Sequence, residues 1–154
     1  MNRKTAMKLF GLLGLLMLLS CGYADRHRNS SSCEQALVDS LEVRVQDSLF
    51  SNVHYSRSQL LEALTQTQDS LVYYRLLALY GKTFFVSSDF DSILYYNRRV
   101  KEFSRNASQS SESLQSPRWN DVLSDVYNIE GNVWMQLNRP DSAIIDYKKA
   151  YGYR

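Results

Sequence analysis

The chain has 154 residues, of which 18 are basic and 16 acidic, for a formal net charge of +2. With 44% apolar residues it can bury one continuous core, and a single domain is expected. Two cysteines, with no CxxC pair and no histidine cluster, exclude a disulfide framework and a zinc site.

In chain order, Arg3, Lys4 and Lys8 precede an apolar run from Leu9 to Leu19. This is a positive n-region followed by an h-region, and the run is shorter than the roughly 20 residues that span a bilayer. It ends in Leu18-Leu19-Ser20-Cys21, which resembles a bacterial lipobox. That resemblance implies cleavage before Cys21 and acylation of it; the alternative is a plain secretory leader with a coincidental cysteine. Residues 1–20 are therefore read as a signal peptide. They hold three of the 18 basic residues and none of the 16 acidic ones, which leaves 15 against 16, or −1. The basicity belongs to the leader, and the remainder lacks the Lys/Arg excess that nucleic-acid binding requires. Residues 21–32, charged and serine-rich, read as a tether.

Helical periodicity begins at Cys33. Ala36, Leu37, Leu41, Val45 and Leu49 share one face up to about Phe50, and Leu60, Leu61 and Leu64 mark a return helix from Ser58 to about Thr67. Together, 33–68 form a divergent leading hairpin. The next helix, near Asp69 to Val86, carries Leu71, Tyr74, Leu77, Ala78 and Phe85; Asp91 to Phe103 carries Ile93, Leu94, Tyr96, Val100 and Phe103. The serine-rich stretch 104–118 reads as a helix extension followed by a polar insertion. A helix from Asn120 to Asn138 then places Val122, Leu123, Val126, Tyr127, Val133, Trp134 and Leu137 on one face. Pro140 ends it, because proline disfavours helical geometry in the residue before it. Asp141 or Ser142 caps a last helix whose inner face is Ala143, Ile144, Tyr147, Ala150 and Tyr151. Period-two alternation is too short everywhere to demand a strand, so the fold class is all-α, six helices in three hairpins.

One pattern occurs twice at identical offsets: Gly81, Phe84, Asp91, Ser92, Ile93, Val100 and Gly131, Trp134, Asp141, Ser142, Ala143, Ala150. Glycine inside a helix costs about 1 kcal/mol relative to alanine, so both glycines point to a close approach by the partner helix. Gly131, Trp134, Ala143, Tyr147, Ala150 and Tyr127 resemble the tetratricopeptide repeat family. The copy at 69–103 is degenerate, with Ile93 and Val100 where small residues are usual and Asn97 where a ring is usual; neighbouring Tyr96 offers the missing ring. The resemblance covers Leu71 to Tyr151 and implies antiparallel helical hairpins stacked as a short right-handed solenoid, with 119–154 as the better repeat.

The same resemblance implies that first helices line a concave groove. Arg75 and Lys82 in one copy, and Asn128, Asn132 and Gln136 in the other, are the partner-binding candidates, suited to a carboxylate and to a peptide backbone. No phosphate loop, nucleophile elbow or metalloprotease helix occurs, and no paired carboxylates can be picked out, so neither an enzyme nor a cofactor is expected. The functional expectation is a membrane-anchored scaffold, held by lipid on Cys21 and facing the periplasm, that binds a peptide or protein segment. The alternative is the amino-terminal sensory part of a larger membrane-bound regulator, since the chain stops at Arg154 with no closing helix.

Overall fold

The structure, a computed structural model, describes residues 35–48, 51–107 and 117–154, and every regular element among them is helical. Helix α1 covers residues 35–48, followed by α2 (Val53–Gln66) and α3 (Ser70–Lys82). A 3-10 turn at Thr83–Phe85 leads to α4 (Phe90–Ala107), α5 (Pro117–Gln136) and α6 (Pro140–Gly152). Cys21, Cys33, Leu49 and the serine-rich residues 108–116 lie outside the described residues. The flanks of that serine-rich stretch are helical: Ser104 continues α4, and Pro117 opens α5.

Helix starts follow side-chain capping. Asn52 accepts from the Tyr55 N–H, and Asp69 accepts from those of Leu71 and Val72. Asp89, rather than Asp91 or Ser92, begins α4: its carboxylate accepts from both the N–H and the hydroxyl of Ser92. These bonds hold its pKa below the ordinary aspartate value. The last helix corrects the expected cap more strongly. Neither Asp141 nor Ser142 caps it; Arg139 is the N-cap, makes no side-chain cap bond, and Pro140 takes the first helical position, where a missing N–H costs nothing.

The repeat seen in the sequence extends to the backbone of the turns. Among the described residues, Ser88 and Asn138 are the two non-glycine residues with positive φ, at 54° and 57°. Asp89 N–H bonds to Phe84 C=O and Arg139 N–H to Trp134 C=O, so both hairpins turn through the same left-handed exit.

Within each hairpin, contacts pair in reverse order along the chain. Trp134 bonds Asp146, Gly131 faces Tyr147, and Ser124 bonds the Ala150 carbonyl. Helices α5 and α6 are therefore antiparallel. So are α3 and α4, where Phe84 and Tyr80 meet Tyr96 and Tyr74 stacks on Phe103. The close approach predicted at both glycines is present: a Cβ on Gly81 would lie 2.9 Å from the Tyr96 Cβ, and one on Gly131 would overlap the Tyr147 ring.

Among the described residues, three apolar clusters follow one another. Val38, Leu41 and Val45 of α1 meet Leu60, Ala63, Val72, Leu76 and Leu79, which joins α1 and α2 to α3. Leu77 and Val100 meet Trp119, Leu123 and Val126, and Ile93 meets Ile129 and Val133; these two clusters join α3 and α4 to α5. Several residues read as inward from sequence face solvent instead. On α1, Ala36 and Leu37 are exposed and Val38 takes the inner position; Leu61, Leu137, Ile144 and Tyr151 are exposed too. On α6 the inner arc is Ala143, Asp146 and Ala150, and Asp146 is tolerated there because Trp134 Nε1 donates to it at 2.8 Å and Lys149 at 3.0 Å.

Candidate functional site

Helices α1, α3 and α5 share a concavity of about 380 Å³. Its apolar floor comes from Val43 on α1, Ala78 and Leu79 on α3, and Val122, Val126 and Ile129 on α5. Charged residues make the rim: Asp39 and Glu42 from α1, Arg75 and Lys82 from α3, and Arg118, Asp121 and Asp125 from α5. The α5 contribution falls at three- and four-residue spacing, which puts Arg118, Asp121, Val122 and Asp125 on one side of the helix.

These charges differ in how firmly they are held. Arg75 is only 5% exposed, and its guanidinium bonds Asp39 at 3.0 Å and Glu42 at 3.5 Å. A buried guanidinium needs such partners, because an unpaired charge in the interior carries a desolvation penalty of several kcal/mol. Arg118 reaches the second Asp39 oxygen at 3.1 Å, so Asp39 ties α1 to both other helices. Lys82 is looser. It is partly exposed and lies 3.8 Å from a half-exposed Asp125, a pairing of the kind worth about 0–1 kcal/mol. Its ammonium can be given up to an incoming carboxylate at small cost.

Of the five partner-binding candidates from sequence, Arg75 and Lys82 line this groove and the other three do not. Arg75 is already occupied, since the carboxylates it grips are those of α1. Asn132 turns across the hairpin, where its side-chain oxygen accepts from the Tyr147 hydroxyl at 2.7 Å. Asn128 is half-buried and Gln136 exposed further along α5. Sequence reading missed Asp39, Glu42, Arg118, Asp121 and Asp125. The mixed-charge stripe at 118, 121, 122 and 125 was the signal that could have found the α5 set.

A second hollow of about 260 Å³ lies between α4, α5 and α6, beside Lys101, Arg105, Tyr127, Lys149 and Tyr153. Two of its cations are committed inward. Lys101 bonds Glu130 at 2.6 Å and Lys149 bonds Asp146 at 3.0 Å, and both ammonium groups lie near 5 Å from the centre of the Tyr127 ring, at 5.2 and 5.0 Å. The Glu130 side chain is 4% exposed, and burial pushes its pKa above the ordinary glutamate value against the pull of Lys101. Among the described residues, no group of histidine, cysteine, aspartate and glutamate is placed to hold a metal ion, and no helix is long and apolar enough to cross a membrane. Comparison of the chain with protein-family models, with curated proteins and with solved structures found no match.

Proposed function

We propose that this chain is a tetratricopeptide-repeat-like scaffold, anchored to a membrane by lipid on Cys21 and facing the periplasm, whose groove binds a peptide segment of a protein partner. The observation that carries this reading is the groove itself: three helices from three successive hairpins share one apolar floor under a rim of opposite charges. The matched glycines and the matched left-handed turns, each pair 50 positions apart, support a stack of like units. Apolar side chains of a bound segment would sit on Val43, Leu79 and Val122. An acidic group on it would draw Lys82 from Asp125, and a basic one would meet Asp121 at the exposed rim.

Photo-crosslinking in the full chain tests this. A crosslinker at Val122 is expected to form an adduct with one polypeptide, lost when Lys82→Glu and Asp121→Lys are introduced. Placed at Glu102, on an exposed face of α4, it should give no such adduct. Equal adducts from both positions would remove the groove as the site. The anchor is tested separately: incorporation of labelled fatty acid should disappear in Cys21→Ser, and label retained by that variant would refute lipidation there.

A further inference from the structure

The outer side of α6 presents Asp141, Ile144, Ile145, Lys148 and Tyr151, a single seam at alternating three- and four-residue spacing. Ala143, Asp146 and Ala150 are the helix's buried residues, so this seam faces away from the hairpin. Ile144 is 50% exposed, Ile145 55% and Tyr151 82%, and Leu137 in the preceding turn is exposed as well. We propose that the seam receives a second copy of this chain, with α6 lying antiparallel on α6 about a two-fold axis between Ile144 and Ile145.

The order of the side chains argues for a copy of itself over any other partner. Reversing the seam about that axis sets Asp141 of each chain against Lys148 of the other, and the isoleucines of both chains meet at the centre. Tyr151 then falls on the turn at Leu137 and Asn138. One operation thus covers Leu137, Ile144, Ile145 and Tyr151 and pairs both charges, which is the self-complementarity that an isologous interface requires. Acid early and base late also suits the helix dipole, so the charges gain this meaning only from the exposed isoleucines between them.

Helix α4 supplies the control. It carries the same order at the same offsets, with Asp91, Leu94, Tyr95 and Arg98. There the first of the apolar pair is met by its own chain: Leu94 packs against the Ile93 cluster, while Tyr95, 45% exposed, has the guanidinium groups of Arg98 and Arg99 at 5.8 and 5.9 Å from its ring centre. In α6 both members of the pair, Ile144 and Ile145, stand half open to solvent, at 50% and 55%.

One helix pair buries less than the roughly 1,200 Å² at the lower end of stable specific interfaces, so the dimer is a weak one. Sedimentation equilibrium of the full chain in detergent, up to about 200 µM, should show a concentration-dependent dimer of micromolar or weaker affinity. Replacing both isoleucines, Ile144→Glu with Ile145→Glu, should leave only monomer. Asp141→Lys and Lys148→Asp should each weaken association about tenfold, and together return it to within about threefold of wild type, because the swap restores both pairs. All four positions are exposed, so folding is not at stake. A wild type that stays monomeric over this range, a dimer indifferent to the isoleucine pair, or single charge reversals that fail to repair one another would each overturn the proposal.

Discussion

The hairpins α3–α4 and α5–α6 share spacing and turn geometry but solve the same packing problem with different atoms. In α5–α6 the Tyr147 ring, through its Cδ1, Cε1 and Cζ atoms, closes off Gly131, and small residues, Ala143 and Ala150, line the inner side of the second helix. In α3–α4 the ring position holds Asn97, the small positions hold Ile93 and Val100, and Gly81 is closed off by the stem of Tyr96. A glycine thus serves two kinds of contact: with a side-chain ring, which can in principle swing away, and with a Cβ, which moves only if the helix moves. Offsets in a sequence specify that helices approach; they do not specify which atom makes the contact.

The largest effects should come from breaking that difference. Gly131→Ala and Gly81→Ala each overpack a helix contact and should each lower stability by about 1–3 kcal/mol in urea unfolding. Their rescue should differ. In a Tyr147→Ala background, Gly131→Ala should become neutral or stabilising by up to about 1 kcal/mol, because the ring is gone and alanine favours helix. In a Tyr96→Ala background, Gly81→Ala should keep its cost, since alanine retains the offending Cβ, and only Tyr96→Gly should relieve it. Equal rescue in both hairpins would mean that the contact at Gly81 is made by the ring after all.

The joint between the hairpins carries a charge that makes the comparison depend on pH. Glu130 on α5 is buried against Lys101 of α4, while Asp89, which caps α4, is held by Ser92. The Glu130 pKa is raised in the folded chain by burial, so folding takes up a proton there; this contribution is fully present below the ordinary glutamate value and is lost as pH rises through the raised one. Asp89 runs the other way. Its pKa is lowered by the bonds from Ser92, so its contribution is present above the ordinary aspartate value and is lost as pH falls through the lowered one. Glu130→Gln should flatten the decline in stability on the mildly acidic side while leaving the loss at lower pH, and Asp89→Asn should do the reverse. Urea midpoints measured across this range check both, and a Glu130→Gln profile parallel to wild type would show that Lys101 fully offsets the burial.

How far the sequence carried can be judged from particular residues. The helices and both close approaches were legible, because apolar period and an interior glycine are local signals. The phase of each helix was less so. Ile144 and Tyr151 were assigned inward on hydrophobicity, yet the inner arc of α6 includes Asp146, made acceptable by Trp134 and Lys149. The sequence reading starts this helix at Asn120, after the polar stretch; in the structure Pro117 takes an N-terminal helical position, opens α5 and sends the Trp119 ring into the core, edge-on to Phe103. Half of the groove was lost the same way. Arg75 is buried because two acids on α1 reach it, and with α1 assigned a face that began at Ala36 rather than Val38, Asp39 and Glu42 were not placed toward α3.

The smallest effect concerns Asn97, the residue that stands where the other hairpin has its ring. It is fully buried; its amide nitrogen donates to the Val126 carbonyl at 3.2 Å, while its side-chain oxygen has no hydrogen-bond partner among the described residues. An unmet buried acceptor costs about 1–3 kcal/mol, whereas the bond to Val126 contributes about 0.5–1.5. Asn97→Leu, of similar shape, gives up the smaller quantity and removes the larger, so it should stabilise the chain by about 1 kcal/mol in urea unfolding. Asn97→Asp, which places a charge on the same atoms, should destabilise it at neutral pH. If leucine instead lowers stability, the bond from α4 to the α5 backbone is holding the two hairpins together more strongly than its geometry implies, and Asn97 would be the polar counterpart of the ring on Gly131.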